Sequence, residues 1–194
     1  MILSNKHIIY ENECRKIFIG ETIRGVIYGE IKFYFDENTE DVFTQPSYRT
    51  KYTDIDTLDH SIYFKTDNLT IYIFWDDTFF SYGLLAKQID LTEQTNVHEQ
   101  KSDVSNDEKW INIVGQRIID FKIIWEEVYT SNIGGTNKTY FIYPQTFTLL
   151  TENGITIILS ASEFKGFEKN KTYGMSDNLL VTTNIVLAKD LKII

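Results

Sequence analysis

The chain repeats itself. Ile19-Gly20-Glu21-Thr22-Ile23-Arg24-Gly25-Val26-Ile27 can be laid on Val114-Gly115-Gln116-Arg117-Ile118-Ile119-Asp120-Phe121-Lys122, and the same shift places Leu84 and Leu85 on Leu179 and Leu180. Between these blocks, Thr66-Asp67-Asn68-Leu69-Thr70-Ile71 resembles Thr151-Glu152-Asn153-Gly154-Ile155-Thr156-Ile157, in which Gly154 is one extra residue. Three blocks in one order predict two diverged copies of a single unit, residues 1–91 and 110–194, joined by a polar linker over 92–109.

Each copy reads as strands. Ile23 to Phe35 and Ile118 to Trp125 are β-branched and aromatic runs that follow a glycine, which suits a turn feeding a strand. Ile62, Phe64 and Leu69, Ile71, Ile73 alternate about Asp67-Asn68, and Phe147, Leu149 and Ile155, Ile157, Leu159 alternate about Asn153-Gly154. Both patterns predict hairpins, the second with a type I′ turn. Leu84 to Leu91 and Leu179 to Leu187 read as a further strand, although Leu84 to Ile89 also fits a short helix. With 12 Tyr, 13 Phe and alanine only at positions 86, 161 and 188, strand formers outweigh the best helix former. The expected fold class is therefore mainly β, with four to five antiparallel strands per copy, arranged either as two lobes or as one sandwich or barrel. Polar stretches over 36–59 and 163–177 are expected to be long loops.

Charge and cysteine content narrow the setting. The net charge is −9, from 28 acidic against 19 basic residues, and no cluster of Lys and Arg stands out. Nucleic-acid binding needs a basic stripe, so neither a nucleic acid nor an anionic membrane is an expected partner; a basic protein is. The one cysteine, Cys14, has no second thiol to pair with, and the first residues lack a basic start followed by an apolar stretch. Both point to a reducing, cytoplasmic compartment without a signal peptide. The Asn-x-Thr triplets at Asn68, Asn137 and Asn170 are then chance occurrences.

No catalytic or metal-binding signature stands out in the sequence. His7, His60 and His98 are far apart in sequence, and no HExxH or CxxC pattern occurs, so no metal or other cofactor is expected. Arg15 and Lys16 beside Cys14 raise the question of an activated thiol, against which the absence of a placed histidine weighs. Gly134-Gly135 lacks the surrounding residues of a phosphate loop and reads as a hairpin turn, and Ser160-Ala161-Ser162 lacks a hydrolase elbow.

Three acidic groups are the candidate binding residues. Trp75-Asp76-Asp77 and Trp125-Glu126-Glu127 each place a carboxylate pair after a tryptophan, and Asp54, Asp56 and Asp59 are spaced like a calcium loop without its glycine and glutamate. Adjacent strand residues point to opposite faces, so neither pair forms a catalytic dyad by itself. An aromatic anchor ringed by carboxylates is instead suited to a basic partner surface.

The run Val114 to Asp120, with Thr151-Glu152-Asn153-Gly154 and Asp177-Asn178-Leu179-Leu180-Val181, resembles uncharacterised bacterial proteins of the immunity type. The resemblance covers mainly the C-terminal copy, carries over no functional residue and implies a non-catalytic protein that neutralises a toxin. Two other readings stand beside it: a structural module that forms homo-oligomers through strand edges, and an enzyme with a carboxylate-lined cleft between the copies.

Overall fold

A computed structural model describes residues 1–31, 53–90, 99–131, 138–164 and 172–194. In chain order the elements are α1 (Asn5–Phe18), β1 (Gly25–Ile31), β2 (Asp56–Leu58), β3 (Ser61–Lys65), β4 (Thr70–Asp76), β5 (Gly83–Ile89), β6 (Glu99–Asp103), β7 (Ile118–Ser131), β8 (Lys138–Thr151), β9 (Thr156–Phe164), β10 (Thr172–Thr182) and α2 (Ile185–Asp190). The strands form two antiparallel five-stranded sheets. Sheet I has the order β5-β4-β3-β1-β6 and sheet II the order β2-β10-β9-β8-β7, and neither closes into a barrel.

The expected mainly β class is what the chain adopts, and the two sheets share one core. Ile62, Phe64, Ile71, Ile73 and Leu84 of sheet I meet Phe121, Phe147, Leu149, Ile157, Leu159 and Leu179 of sheet II in a single buried cluster. Alternation along β3, β4, β8 and β9 puts these residues on the inward faces, as the period of two requires. The outward face of sheet II is capped by α2 and the C-terminus, through Ile55, Ile158, Leu180, Ala188, Leu191 and Ile193.

Both predicted hairpins are present, and one has a different turn. Thr66 N–H donates to Leu69 O (2.8 Å), closing β3 onto β4. At the other hairpin Gly154 N–H donates to Thr151 O and Thr151 N–H to Ile155 O, both 2.9 Å, and Gly154 alone takes a positive φ, of 86°. A type I′ turn needs positive φ at two central residues. The inserted Gly154 makes a three-residue loop, in which a glycine in the left-handed region resolves the strand twist.

The structure corrects four further expectations and settles one ambiguity. The N-terminal stretch assigned to the first β copy is helical over Asn5–Phe18, because Ser4 caps it: Ser4 N–H donates to His7 Nδ1 (3.0 Å), the reciprocal half of a capping box. The strand expected over Leu179 to Leu187 ends at Thr182, and Asn184 starts α2 by accepting from Leu187 N–H (3.0 Å). Leu84 to Ile89, ambiguous in sequence, lies in β5, where β4 supplies the ladder. The polar segment over 92–109 contributes β6 to the edge of sheet I, paired with β1, and buries Lys109. Likewise Asp56–Leu58, within a stretch read as loop, pairs with β10 before the chain crosses to sheet I through Asp59 and His60. Short polar strands carry no hydrophobic period, which is why they were invisible. Expectations on His98, Gly134, Gly135, Asn137 and Asn170 lie outside the described residues.

The start of each meander is joined to the other by reciprocal bonds. Gly20 N–H donates to Ile118 O (2.9 Å) and Gly115 N–H to Ile23 O (2.7 Å); Ile118 N–H donates to Glu21 O (2.9 Å) and Ile23 N–H to Gln116 O (3.0 Å). Gly20 and Gly115 hold φ of 96° and 92°, a region open chiefly to glycine. Helix α1 then spans the gap between edge strands β5 and β7. Tyr10 donates to Leu84 O (3.0 Å) on one side, while Phe18 stacks on Phe121 at 4.6 Å on the other.

Candidate functional site

The two tryptophan-acid motifs, distant in sequence, lie beside each other. Asp76 pairs with Gly83 across β4 and β5, Gly83 is so close to Pro144 that a Cβ would stand 3.0 Å from its ring, and Pro144 is the β8 partner of Trp125. The β4–β5 loop fills the corner. Its Phe79 packs on Trp125 (5.4 Å between centroids), Tyr10 and His7, and its Phe80 stacks on Phe141 at 4.4 Å. His7 fixes the helix to this corner: its Nδ1 accepts from Ser4, so Nε2 carries the proton and donates to Ile142 O (3.2 Å).

Within the motifs the tryptophans are structural and most of the carboxylates face outward. Trp125 is 6% exposed and donates through Nε1 to Glu11 Oε2 (3.1 Å). Trp75, half-buried, donates to the Asp59 carbonyl (2.8 Å) and lies edge-on to Tyr82 and His60. Asp76 accepts from the backbone N–H (2.7 Å) and hydroxyl (2.9 Å) of Thr78, which locks the turn, whereas Asp77, Glu126 and Glu127 are exposed.

Glu126 and Glu127 stand on an arm. Strand β8 pairs with β9 only from Thr146 to Leu150, yet it pairs with β7 out to Lys138, so Trp125–Ser131 and Lys138–Pro144 form a two-stranded ribbon. Such ribbons are marginal alone; here one face is braced by Phe80 against Phe141. Glu126 shares that face through its partner Tyr143. On the opposite face Glu127 lines up with Tyr129 and Tyr140, which are 54% and 58% exposed with ring centroids 5.9 Å apart. Lys138 Nζ already sits 4.1 Å from the Tyr129 ring centroid, which shows that this ring face can take a cation. Sequence reasoning missed both tyrosines; the available signal was the alternation of Tyr129 with Glu127 along β7, whereas Tyr140 joins them only through the register of β8.

The third acidic group is elsewhere and is divided. Asp56 is drawn into the fold: Tyr28 OH donates to its Oδ2 (2.7 Å), Lys109 Nζ lies 2.8 Å from the same oxygen, and Trp110 Nε1–H donates to Tyr28 OH (2.8 Å). Burial pushes the Lys109 ammonium below its ordinary pKa against the pull of Asp56. Asp54 accepts from Asn184 Nδ2 (3.3 Å) near the start of α2. Burial, then the nearby Asp177, raises the Asp59 carboxyl above the usual Asp range. The structure therefore brings Trp75, Asp76, Asp77, Trp125, Glu126 and Glu127 together and leaves Asp54 and Asp56 outside that group.

No set of three metal-ligating side chains converges among the described residues, and no described helix is long and apolar enough to cross a membrane. Cys14 is buried, and its thiol is pushed up to about 12 by that burial, which leaves no activated nucleophile there. Fold and site together define a two-sheet antiparallel β protein with an acidic, tyrosine-bearing arm. No family model, curated protein or solved structure matches the chain.

Proposed function

We propose that this chain is a non-catalytic acidic binding protein of the cytoplasm that docks onto, and inhibits or neutralises, a basic protein partner such as a toxin. One observation carries the reading: Tyr129, Tyr140 and Glu127 are exposed together on the outer part of one arm face, whose base is rooted by Trp125 and Ile142, near the Asp76-Asp77 loop. Exposed tyrosines give large contact area at little cost in rotamer freedom, and carboxylates around them steer and orient a cationic surface. The surplus of acids over bases acts in the same sense at longer range.

Capture from the native cell, followed by mass spectrometry, tests it. The expected result is a basic protein held by the natural chain, lost when Tyr129→Ala and Glu127→Lys are combined, and released by salt. Capture that is indifferent to both changes, or a partner without basic surface, overturns the proposal. Among the described residues no strand pairs with the outer edge of β7 along the arm, which favours a second reading, an oligomeric scaffold. Sedimentation that shows concentration-dependent assembly abolished by Tyr129→Ala selects it.

The duplication belongs to the same proposal. The meanders β1-β3-β4-β5 and β7-β8-β9-β10 have the same order, and the reciprocal bonds of Gly20 and Gly115 exchange under the shift that aligns the sequences. These features support descent from one doubled unit, with the arm a later extension of the second copy.

A further inference from the structure

Strand β6 reads Glu99-Gln100-Lys101-Ser102-Asp103, without one apolar side chain, and is the outermost of the described strands at its end of sheet I. Hydrophobic burial gives it little hold. Besides its ladder to β1, polar contacts anchor it at two ends. Asp103 accepts from Ser105 N–H (3.0 Å) and Oγ–H (2.6 Å) and lies 3.7 Å from Lys65 Nζ. The other anchor is Glu99, whose side chain is fully buried.

Glu99 reaches over β1 to bind β3. Its Oε1 accepts from Ser61 Oγ (2.5 Å) and from His60 Nδ1 (2.6 Å), and its Oε2 accepts from Tyr63 OH. The crossing is possible because residue 29 is glycine: a Cβ there would lie 2.9 Å from the Glu99 carboxylate and collide with Ser61 Oγ. Around the carboxylate stand His60, Tyr63, Tyr72, whose OH lies 3.4 Å from His60 Nδ1, and Lys101 over the Tyr63 ring at 4.4 Å; Asp59 and Asp177 lie beyond His60. Glu30, next to Gly29 on β1, points to the opposite face.

We propose that Glu99 is an acid-released latch: protonating its carboxylate frees β6 and uncovers the edge of β1, while β3, β4 and β5 remain paired. A carboxylate accepts at both oxygens, whereas the protonated acid presents a donor to the donors already there. Protonated His60 would donate to the carboxylate more strongly, so release follows Glu99 and not the imidazole. Burial favours the neutral acid, but the hydrogen bonds from His60, Ser61 and Tyr63 outweigh it and hold the carboxyl below the usual Glu range. The latch is therefore closed above that range and opens as pH falls through the lowered value.

Hydrogen exchange read by mass spectrometry from neutral pH down to about pH 3, corrected for intrinsic rates, tests the proposal. Residues 99–103 and the alternate β1 amides that face β6, those of Tyr28 and Glu30, are expected to lose about tenfold or more of their protection, while the β1 amides facing β3 and those of β3 to β5 keep theirs. Tyr63→Phe, which removes one donor, moves the midpoint to higher pH. Gly29→Ala, which displaces the carboxylate without altering any titratable group, opens the edge at neutral pH. Protection of β6 that persists at low pH, loss that is uniform over sheet I, or a midpoint unmoved in Tyr63→Phe overturns it; the natural chain and Tyr63→Phe decide the matter even if Gly29→Ala does not fold.

Discussion

Two sets of acids in this protein look alike in sequence and differ in what they do. Asp56 and Glu99 are interior groups, each held by several donors, and they fasten short polar strands that have no hydrophobic grip of their own. Asp77, Glu126 and Glu127 stand in solvent, on a loop and an arm whose positions are set by aromatic packing beneath them. A carboxylate's role is thus decided by how many donors the fold brings to it. Asp56 and Glu99 maintain the structure; Asp77, Glu126 and Glu127 are the acids that the proposed function offers to a partner.

The comparison can be broken most severely at Lys109. Its side chain is 8% exposed and that of Asp56 16%, so Lys109→Met leaves a nearly buried carboxylate without its cation. The expected loss is about 3–5 kcal/mol in denaturant unfolding, and pairing the change with Asp56→Asn should recover a large part of it. A loss below about 1 kcal/mol would place Asp56 with the surface acids.

Phe79→Ala probes the support of the outer acids. Loss of the ring that packs on Trp125, Tyr10 and His7 is expected to cost about 1–3 kcal/mol and to speed amide exchange in the arm more than in β3 and β4. Equal acceleration everywhere would show that the arm is not braced at this corner.

Asp59 sharpens the division by its sign. Its carboxyl is raised, so the folded chain holds that proton more tightly than the unfolded chain does, and ionising it costs stability once pH exceeds the usual Asp range. Asp59→Asn is expected to stabilise at neutral pH and to give no gain where the acid is protonated in both states. Thermal unfolding at the two pH values checks this; a gain that persists in acid removes titration as its cause.

The smallest expected effect on stability is at Asp76 and Asp77. Reversing both to Lys should shift unfolding by about 1 kcal/mol at most, most of it from the Thr78 turn that Asp76 holds. Association with the captured partner should slow by about tenfold at low salt and much less at high salt. Unchanged association kinetics would remove this loop from the binding surface.

Much of the fold was legible because a period of two survives in β3, β4, β8 and β9: Ile62, Phe64, Phe147 and Leu149 announce inward faces whichever partner they meet. The hairpins were legible for the same reason, together with their polar turns. Helix α1 was not. Its apolar residues Ile8 and Ile9 are exposed, and it is held by capping and by contacts to two separate sheet edges, which no local pattern records. The candidate site was half legible: tryptophan followed by two acids marks each motif, but Tyr129 and Tyr140 declare themselves only once a ribbon extends past its sheet.

By itself the sequence determined a strand-rich chain with surplus negative charge, because side-chain alternation, turn chemistry and ionisation are local properties of the residues. Only the tertiary structure decided which carboxylates are interior fasteners, that the motifs at Trp75 and Trp125 share a corner, and that β6 hangs on Glu99. Those outcomes depend on contacts between residues far apart in the chain. They exist only after the two sheets have closed on a common core.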